Sequence, residues 1–198
     1  MFKIISSDQF KTTPWKNGKG ETIELAINEG GDICNFDWRL SIATVSENGV
    51  FSDFSGLRRD LFLIEGQGIK LTHNTTHNNV NENLLTDHLS VATFDGGDTT
   101  MGELLGDTIK DLNLMTKVGK YQVNTRVYHE EGTYELPDMG LCFIFSYRND
   151  VCLINEYAAF DDAQQTSLVK GNLLLASDGL AGQCVQGKNI LVIQLVEH

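Results

Sequence analysis

Several ordinary features are scarce in this chain, and each scarcity removes a class of protein. No apolar stretch approaches the roughly 18 to 20 residues that a membrane-spanning helix needs. The opening Met1-Phe2-Lys3-Ile4-Ile5-Ser6-Ser7-Asp8 also lacks a run long enough for a secretory signal, so a soluble, cytoplasmic protein is expected. Basic side chains are outnumbered, 15 against 27 acidic ones, and the formal net charge of -12 is relieved by no Lys/Arg cluster. Such a surface repels phosphate backbones and anionic lipid, so neither nucleic acid nor membrane is an expected partner. The four cysteines, Cys34, Cys142, Cys152 and Cys184, show no CxxC spacing. Cys142 and Cys152 fall in apolar runs, which reads as reduced structural thiols in a reducing compartment.

Histidines are few and scattered. His73 and His77 are four apart, but their asparagine-rich surroundings argue for a loop, and His88, His129 and His198 are isolated. No protein-held metal and no cofactor are therefore expected. No Ser/His/Asp or Cys/His order stands out, so no catalytic residue is nominated. Prolines number only two, Pro14 and Pro137, against 19 glycines that supply the positive-φ positions of tight turns and bulges.

What is abundant is period-two alternation. It recurs over Thr22 to Ile27, Trp38 to Val45, Leu61 to Leu71, Leu89 to Phe94, Tyr121 to Tyr128, Leu141 to Tyr147, Val151 to Ile154, Leu173 to Ala176 and Ile190 to Val196. Each run is short, and Gly, Asn and Asp fill the breaks, so the chain reads as all-β, a barrel or sandwich. The only helical candidates are Met101 to Leu105 and Ala158 to Gln165. Phe62 to Ile69 reads as a buried strand, a glycine turn and a return strand. A second such unit surrounds Arg148-Asn149-Asp150, followed by Lys170-Gly171-Asn172-Leu173. Two barrel-like halves, residues 1–117 and 118–198, account for both, and 198 residues bury a sufficient core without an external staple. Thr72 to Asn83, with five asparagines, reads as a surface loop; its Asn74-Thr75-Thr76 acceptor pattern is accidental without a secretory signal.

Parity along the strands groups the polar residues. Trp38, Leu40 and Ile42 share one face, and Arg39, Ser41 and Ala43 the other. A strand arginine among apolar neighbours needs an anionic partner, either a protein carboxylate or the carboxylate of a ligand taken bidentately. In the same way Asp111, Asn113 and Met115 oppose Leu112 and Leu114. Asn113 offers a donor and an acceptor to a formamide- or peptide-like group, while Asp111 either orients a ligand-binding arginine or neutralises Arg39 or Arg59 to fix the barrel. The loop Lys16 to Thr22 brings a cation, an amide and a hydroxyl from Lys16, Asn17 and Thr22 beside Gly18 and Gly20. It lacks phosphate-loop spacing and a following helix, and its alternative role is a turn that plugs a barrel end with Trp15.

These segments carry a resemblance. Trp15-Lys16-Asn17-Gly18-Lys19-Gly20-Glu21-Thr22, Trp38-Arg39-Leu40-Ser41-Ile42-Ala43, Gly49-Val50-Phe51-Ser52, Gly56-Leu57-Arg58-Arg59, Leu63-Ile64-Glu65-Gly66 and Asp111-Leu112-Asn113-Leu114-Met115 occur in the order found in the HutD/Ves family of bacterial cupin-like proteins, which the chain resembles over its first two thirds. It departs at Ser55, where the family usually has proline, and in the polar stretch Thr72 to Asn83. The resemblance implies an RmlC-like cupin fold with two jelly-roll halves in one chain, a bicupin, without the usual cupin metal motif. It also implies binding of small formylated or carboxylated amino-acid derivatives such as N-formylglutamate, in the control of histidine breakdown; other members are stress- or cold-induced.

The reading that results is metal-independent binding of a small anionic, carboxylate- or formamide-bearing metabolite in the N-terminal barrel. Arg39 and Arg59 would hold the carboxylate, with Lys16, Asn17, Thr22, Ser41 and Asn113 around it and Asp111 orienting an arginine. The sequence is compatible with a homodimer and does not fix the oligomeric state. The alternatives are a cupin enzyme, whether isomerase, hydrolase or oxygenase, and a protein-interaction module.

Overall fold

The computed structural model describes residues 1–15, 20–75, 79–155 and 165–198. Within them the chain is built from strands, with one short 3₁₀ turn at Ser7–Gln9. In order the strands are β1 (Phe2–Ile5), β2 (Lys11–Pro14), β3 (Gly20–Ile27), β4 (Trp38–Val45), β5 (Gly49–Val50), β6 (Leu57–Glu65), β7 (Ile69–Asn74), β8 (Val80–Leu85), β9 (Val91–Asp95), β10 (Thr99–Leu104) and β11 (Ile109–Lys117). They continue as β12 (Tyr121–Tyr128), β13 (Gly132–Glu135), β14 (Leu141–Phe145), β15 (Val151–Asn155), β16 (Thr166–Leu168), β17 (Leu173–Ala176), β18 (Gln183–Gly187) and β19 (Ile190–Glu197). No helix among the described residues is long and apolar enough to cross a membrane.

Two compact units result, one of Phe10–Lys120 and one of Met1–Gln9 with Tyr121–His198. The first contains a six-stranded sheet, β2-β3-β4-β11-β6-β9, and a four-stranded sheet, β5-β10-β7-β8. Its core draws on both sheets: Leu61 and Leu63 of β6, Ile109 of β11 and Ala92 and Phe94 of β9 pack with Ile69 and Leu71 of β7 and Leu85 of β8. Sandwiched antiparallel sheets of this kind bury alternate residues of each strand. The second unit has sheets β1-β17-β14-β19-β12 and β13-β18-β15-β16, around a core that includes Cys142, Ile144, Leu153, Leu174 and Val192. The first nine residues therefore belong with the C-terminal strands rather than with the half 1–117, because β1 pairs with β17 from Phe2↔Ala176 to Ile5↔Leu173.

Two local expectations need correction. Met101 to Leu105 is not helical: β10 runs through it, laddered to β7 from Thr99↔Asn74 to Leu104↔Ile69, with Thr100 and Gly102 buried on one side. Thr72 to Asn83 is not one loop either, since it contributes the end of β7 and most of β8, paired from Ile69↔Leu85 to Asn74↔Val80. A strand on a sheet edge keeps polar side chains toward solvent, which is why Val80-Asn81-Glu82-Asn83 reads as loop in sequence. The other helical candidate, Ala158 to Gln165, lies almost wholly outside the described residues, as does His77.

The expected turn after β6 is present. Gly66 and Gly68 take φ of 103° and 132°, which side chains with a Cβ rarely adopt. All four cysteines are free, and burial pushes the Cys142 thiol up to about 12, as for an inert core thiol.

Candidate functional site

The inner face of the six-stranded sheet is organised in cross-strand rows. One row runs Ile27, Arg39, Met115, Arg59, Phe94 across β3, β4, β11, β6 and β9. The next holds Glu24, Ser41, Asn113, Leu61 and Ala92, and the third Thr22, Ala43, Asp111 and Leu63. Farther along β4 and β11 the face becomes apolar at Val45 and Ile109. Strand alternation thus gathers Arg39, Ser41, Arg59, Asp111 and Asn113 on one surface, all of them buried. Two register shifts flank this patch, one between Glu24 and Ala26 on β3 and one between Lys110 and Asp111 where β11 meets β6. Bulges of this kind re-aim side chains beside functional sites.

The two arginines meet different fates. Arg39 Nε donates to Glu24 Oε2 at 2.7 Å, so its charge is met inside the protein and it is not a free half of a carboxylate clamp. Arg59 is only 4% exposed, and its Nε has no hydrogen-bond partner among the described residues. Its guanidinium carbon instead lies 5.4, 5.5 and 5.1 Å from the ring centroids of Phe51, Phe54 and Phe94. Such faces attract a cation but offer no strong acceptor. Burial lowers Arg59 to about 10, and the charge of Asp111 opposes the shift.

Asp111 is 1% exposed, and neither carboxylate oxygen has a hydrogen-bond partner among the described residues; the same holds for Asn113 Oδ1. Burial pushes Asp111 up to about 7, against the pull of Arg59. Asp111 and Arg59 therefore act on each other through their charges rather than through a hydrogen bond. Thr22 is occupied differently: Trp15 Nε1 donates to its Oγ1 at 2.8 Å. Lys16 and Asn17 lie outside the described residues.

The sequence reading missed Glu24, the three phenylalanines and His73. His73, expected in a loop, is buried on β7, with Nδ1 2.9 Å from Thr100 Oγ1 and Nε2 3.0 Å from Asn83 Oδ1. Its ring centroid is 4.4 Å from that of Phe94, and burial, the largest influence, lowers its pKa. With both ring nitrogens engaged, His73 is poorly placed as a ligand. Among the described residues no group of three or more His, Cys, Asp or Glu could hold a metal, so the donor set does not fit the histidine-borne metal of many cupins. An open cleft of about 560 Å³, lined by Ile33, Phe36, Asp53, Phe54, Leu57 and Lys117 among others, shares Phe54 with the aromatic cage of Arg59.

Comparison with known proteins follows the same lines. A family model described as HutD matches residues 7–192. The uncharacterized 21.2 kDa protein in the hutC 3' region of Pseudomonas putida is 28% identical over 193 residues, 96% of this chain and 95% of that protein. Protein Ves of Citrobacter koseri is 30% identical over 137 residues, 67% of this chain and 66% of that one. Among solved structures, HutD from Pseudomonas fluorescens SBW25 is similar with a TM-score of 0.79, at 23% identity over 100% of both chains. The oxalate decarboxylase of Lactobacillus farciminis gives 0.65 at 8% identity, over 97% of this chain and 85% of that one. At these identities the structural likeness is one of fold, and the fold is the all-β, cupin-like one expected. With the family model matched across nearly its whole length, the chain belongs to the HutD family.

Proposed function

We propose that the barrel formed within Phe10–Lys120 binds a small carboxylate- or formamide-bearing metabolite at Arg59, without a metal, and that binding serves regulation of histidine utilisation. The observation that carries this reading is a buried guanidinium whose Nε has no hydrogen-bond partner among the described residues, beside Asp111 and Asn113 acceptors in the same condition. Burial of an unmet charged donor is costly, and a bound acceptor relieves that cost. A charge-assisted hydrogen bond contributes about 1.5–3 kcal/mol, so one such contact with several neutral ones suits micromolar sensing of a metabolite. The link to histidine utilisation rests on family membership and on the P. putida relative named for its place beside hutC.

Titration calorimetry with N-formylglutamate and related carboxylates tests the reading. Arg59→Ala should weaken binding at least about tenfold with the fold retained. Arg39→Ala acts differently, because it leaves Glu24 without its partner; its main effect should be a loss of stability. Unchanged affinity in a folded Arg59→Ala protein would remove Arg59 as the carboxylate anchor.

A further inference from the structure

The three rings that cage Arg59 are held in different ways. Phe94 is 8% exposed, belongs to the core of the Phe10–Lys120 unit and has the His73 ring stacked 4.4 Å from its own. Phe51 packs against the same core and lies so close to Gly102 that a Cβ there would stand 2.7 Å from its Cε1. Turning either ring aside would leave a hole in close-packed surroundings, which is costly. Phe54 is only half-buried. It contributes to the wall of the cleft of about 560 Å³, together with Cys34, Phe36, Ser55 and Lys117, whereas Arg59, Phe51 and Phe94 do not line that cleft. Phe54 therefore stands between the covered guanidinium, 5.5 Å from its ring centroid, and a hollow open to solvent.

The backbone that carries Phe54 is pinned. Phe54 N donates to Gly96 O at 2.8 Å and Leu57 N to Phe54 O at 3.1 Å. Asp53 Oδ1 accepts from Ser55 N at 2.8 Å and from Ser55 Oγ at 2.7 Å. What is left to move is the side chain, and rotamer changes of side chains near solvent are fast. When the Phe54 ring swings away, Arg59 loses one of three cation–π contacts and keeps those to Phe51 and Phe94, so the guanidinium stays where it is.

We infer that Phe54 is a side-chain gate: with its ring over Arg59 the guanidinium is shut off from the cleft, and with the ring turned aside the cleft is the way by which a solute reaches it. This adds a route of entry to the proposed binding at Arg59 and rests on that reading only for what passes; the gate itself is tested without a ligand.

Phenylglyoxal, which modifies accessible guanidinium groups, is the probe. Modification of the full chain is followed at each arginine by fragmentation mass spectrometry, with exposed Arg148 as the internal standard. Phe54→Ala should raise the Arg59 rate, relative to Arg148, at least about tenfold, and Phe54→Trp should leave it at or below that of the parent. A second arm leaves the ring alone. A bulky maleimide coupled to exposed Cys34, on the cleft wall, should slow Arg59 modification in the parent, and Cys34→Ser treated alike should show no slowing. If Phe54→Ala does not fold, the Cys34 arm decides. The gate is overturned if Arg59 reacts equally in the parent and in folded Phe54→Ala, if it reacts faster only where β6 also loses amide protection, or if the Cys34 adduct changes nothing. Stopped-flow mixing with N-formylglutamate separates this from the carboxylate reading: faster association in Phe54→Ala supports both, whereas no binding to either protein removes the carboxylate reading and leaves the gate to stand or fall on the labelling.

Discussion

Asp111 carries the clearest test at the scale of one side chain. Burial raises its pKa from 3.8 to about 7, with Arg59 opposing. An acid raised in this way favours the fold fully below its unfolded value, and that contribution is lost as pH climbs through the native value. His73 acts in the opposite sense: burial lowers it, so its contribution is present above 6.5 and is lost as pH falls. Asp111→Asn removes only the carboxyl's share. The variant's stability relative to the parent should therefore rise by a few kcal/mol, roughly, between about pH 4 and about pH 7.5, measured by urea denaturation at each pH. A difference that does not change with pH would mean that Asp111 ionises in the fold as easily as in the unfolded chain. Much of this site was legible from parity, since Arg39 with Ser41 and Asp111 with Asn113 needed nothing beyond period two. Glu24 was not, because the pairing that brings it to Arg39 passes through a register shift that alternation does not encode. Phe51 and Phe54 stand in an irregular segment without period, and Phe94 meets Arg59 only through the pairing of β6 with β9.

At the scale of the element, β10 shows how a strand disguises itself. Met101, Leu104 and Leu105 are spaced as on a helix face, whereas the structure uses Thr100, Gly102 and Leu104 as the inward side of a strand. The long alternating runs were read nearly to the residue: β4, β12 and β17 begin and end where the pattern does. β10 and β8 escaped because glycine and asparagine weaken the alternation that reveals a strand. Gly102 has a particular task. A Cβ there would stand 2.7 Å from Phe51 Cε1 and 3.1 Å from Ile69 Cδ1, so only a residue without one lets the Phe51 ring lie beside Arg59 as it does. Gly102→Ala should lower stability by about 1–3 kcal/mol, the usual cost of overpacking, and weaken carboxylate binding by shifting that ring. Gly49, its partner in the ladder, is a fitting control, since a Cβ there meets nothing within 4 Å. Equal melting and equal affinity for Gly102→Ala and Gly49→Ala would show that the Phe51 ring yields without consequence.

At the scale of the whole molecule the chain does not divide in sequence order. Two strand-turn-strand units suggest halves of residues 1–117 and 118–198, but β1 belongs to the sheet of β17, β14, β19 and β12. A pairing across more than 160 residues, such as Phe2↔Ala176, leaves no trace in local pattern. The role of β1 there is specific. Phe2 and Ile4 pack against the core that holds Leu174 and Ala176, and the four residue pairs of β1 cover one edge of β17, whose other edge is held by β14. Removing Met1–Gln9 strips that edge and exposes apolar surface, at about 25 cal/mol for each Å² uncovered. Hydrogen exchange followed by mass spectrometry should then show faster exchange in Leu173–Ala176, whereas β3, β4, β6 and β11, which make no pairing with β1, should keep their protection. If exchange in Leu173–Ala176 were unchanged by the deletion, β1 would contribute nothing to holding that edge, and the first nine residues would not be part of the C-terminal unit in solution.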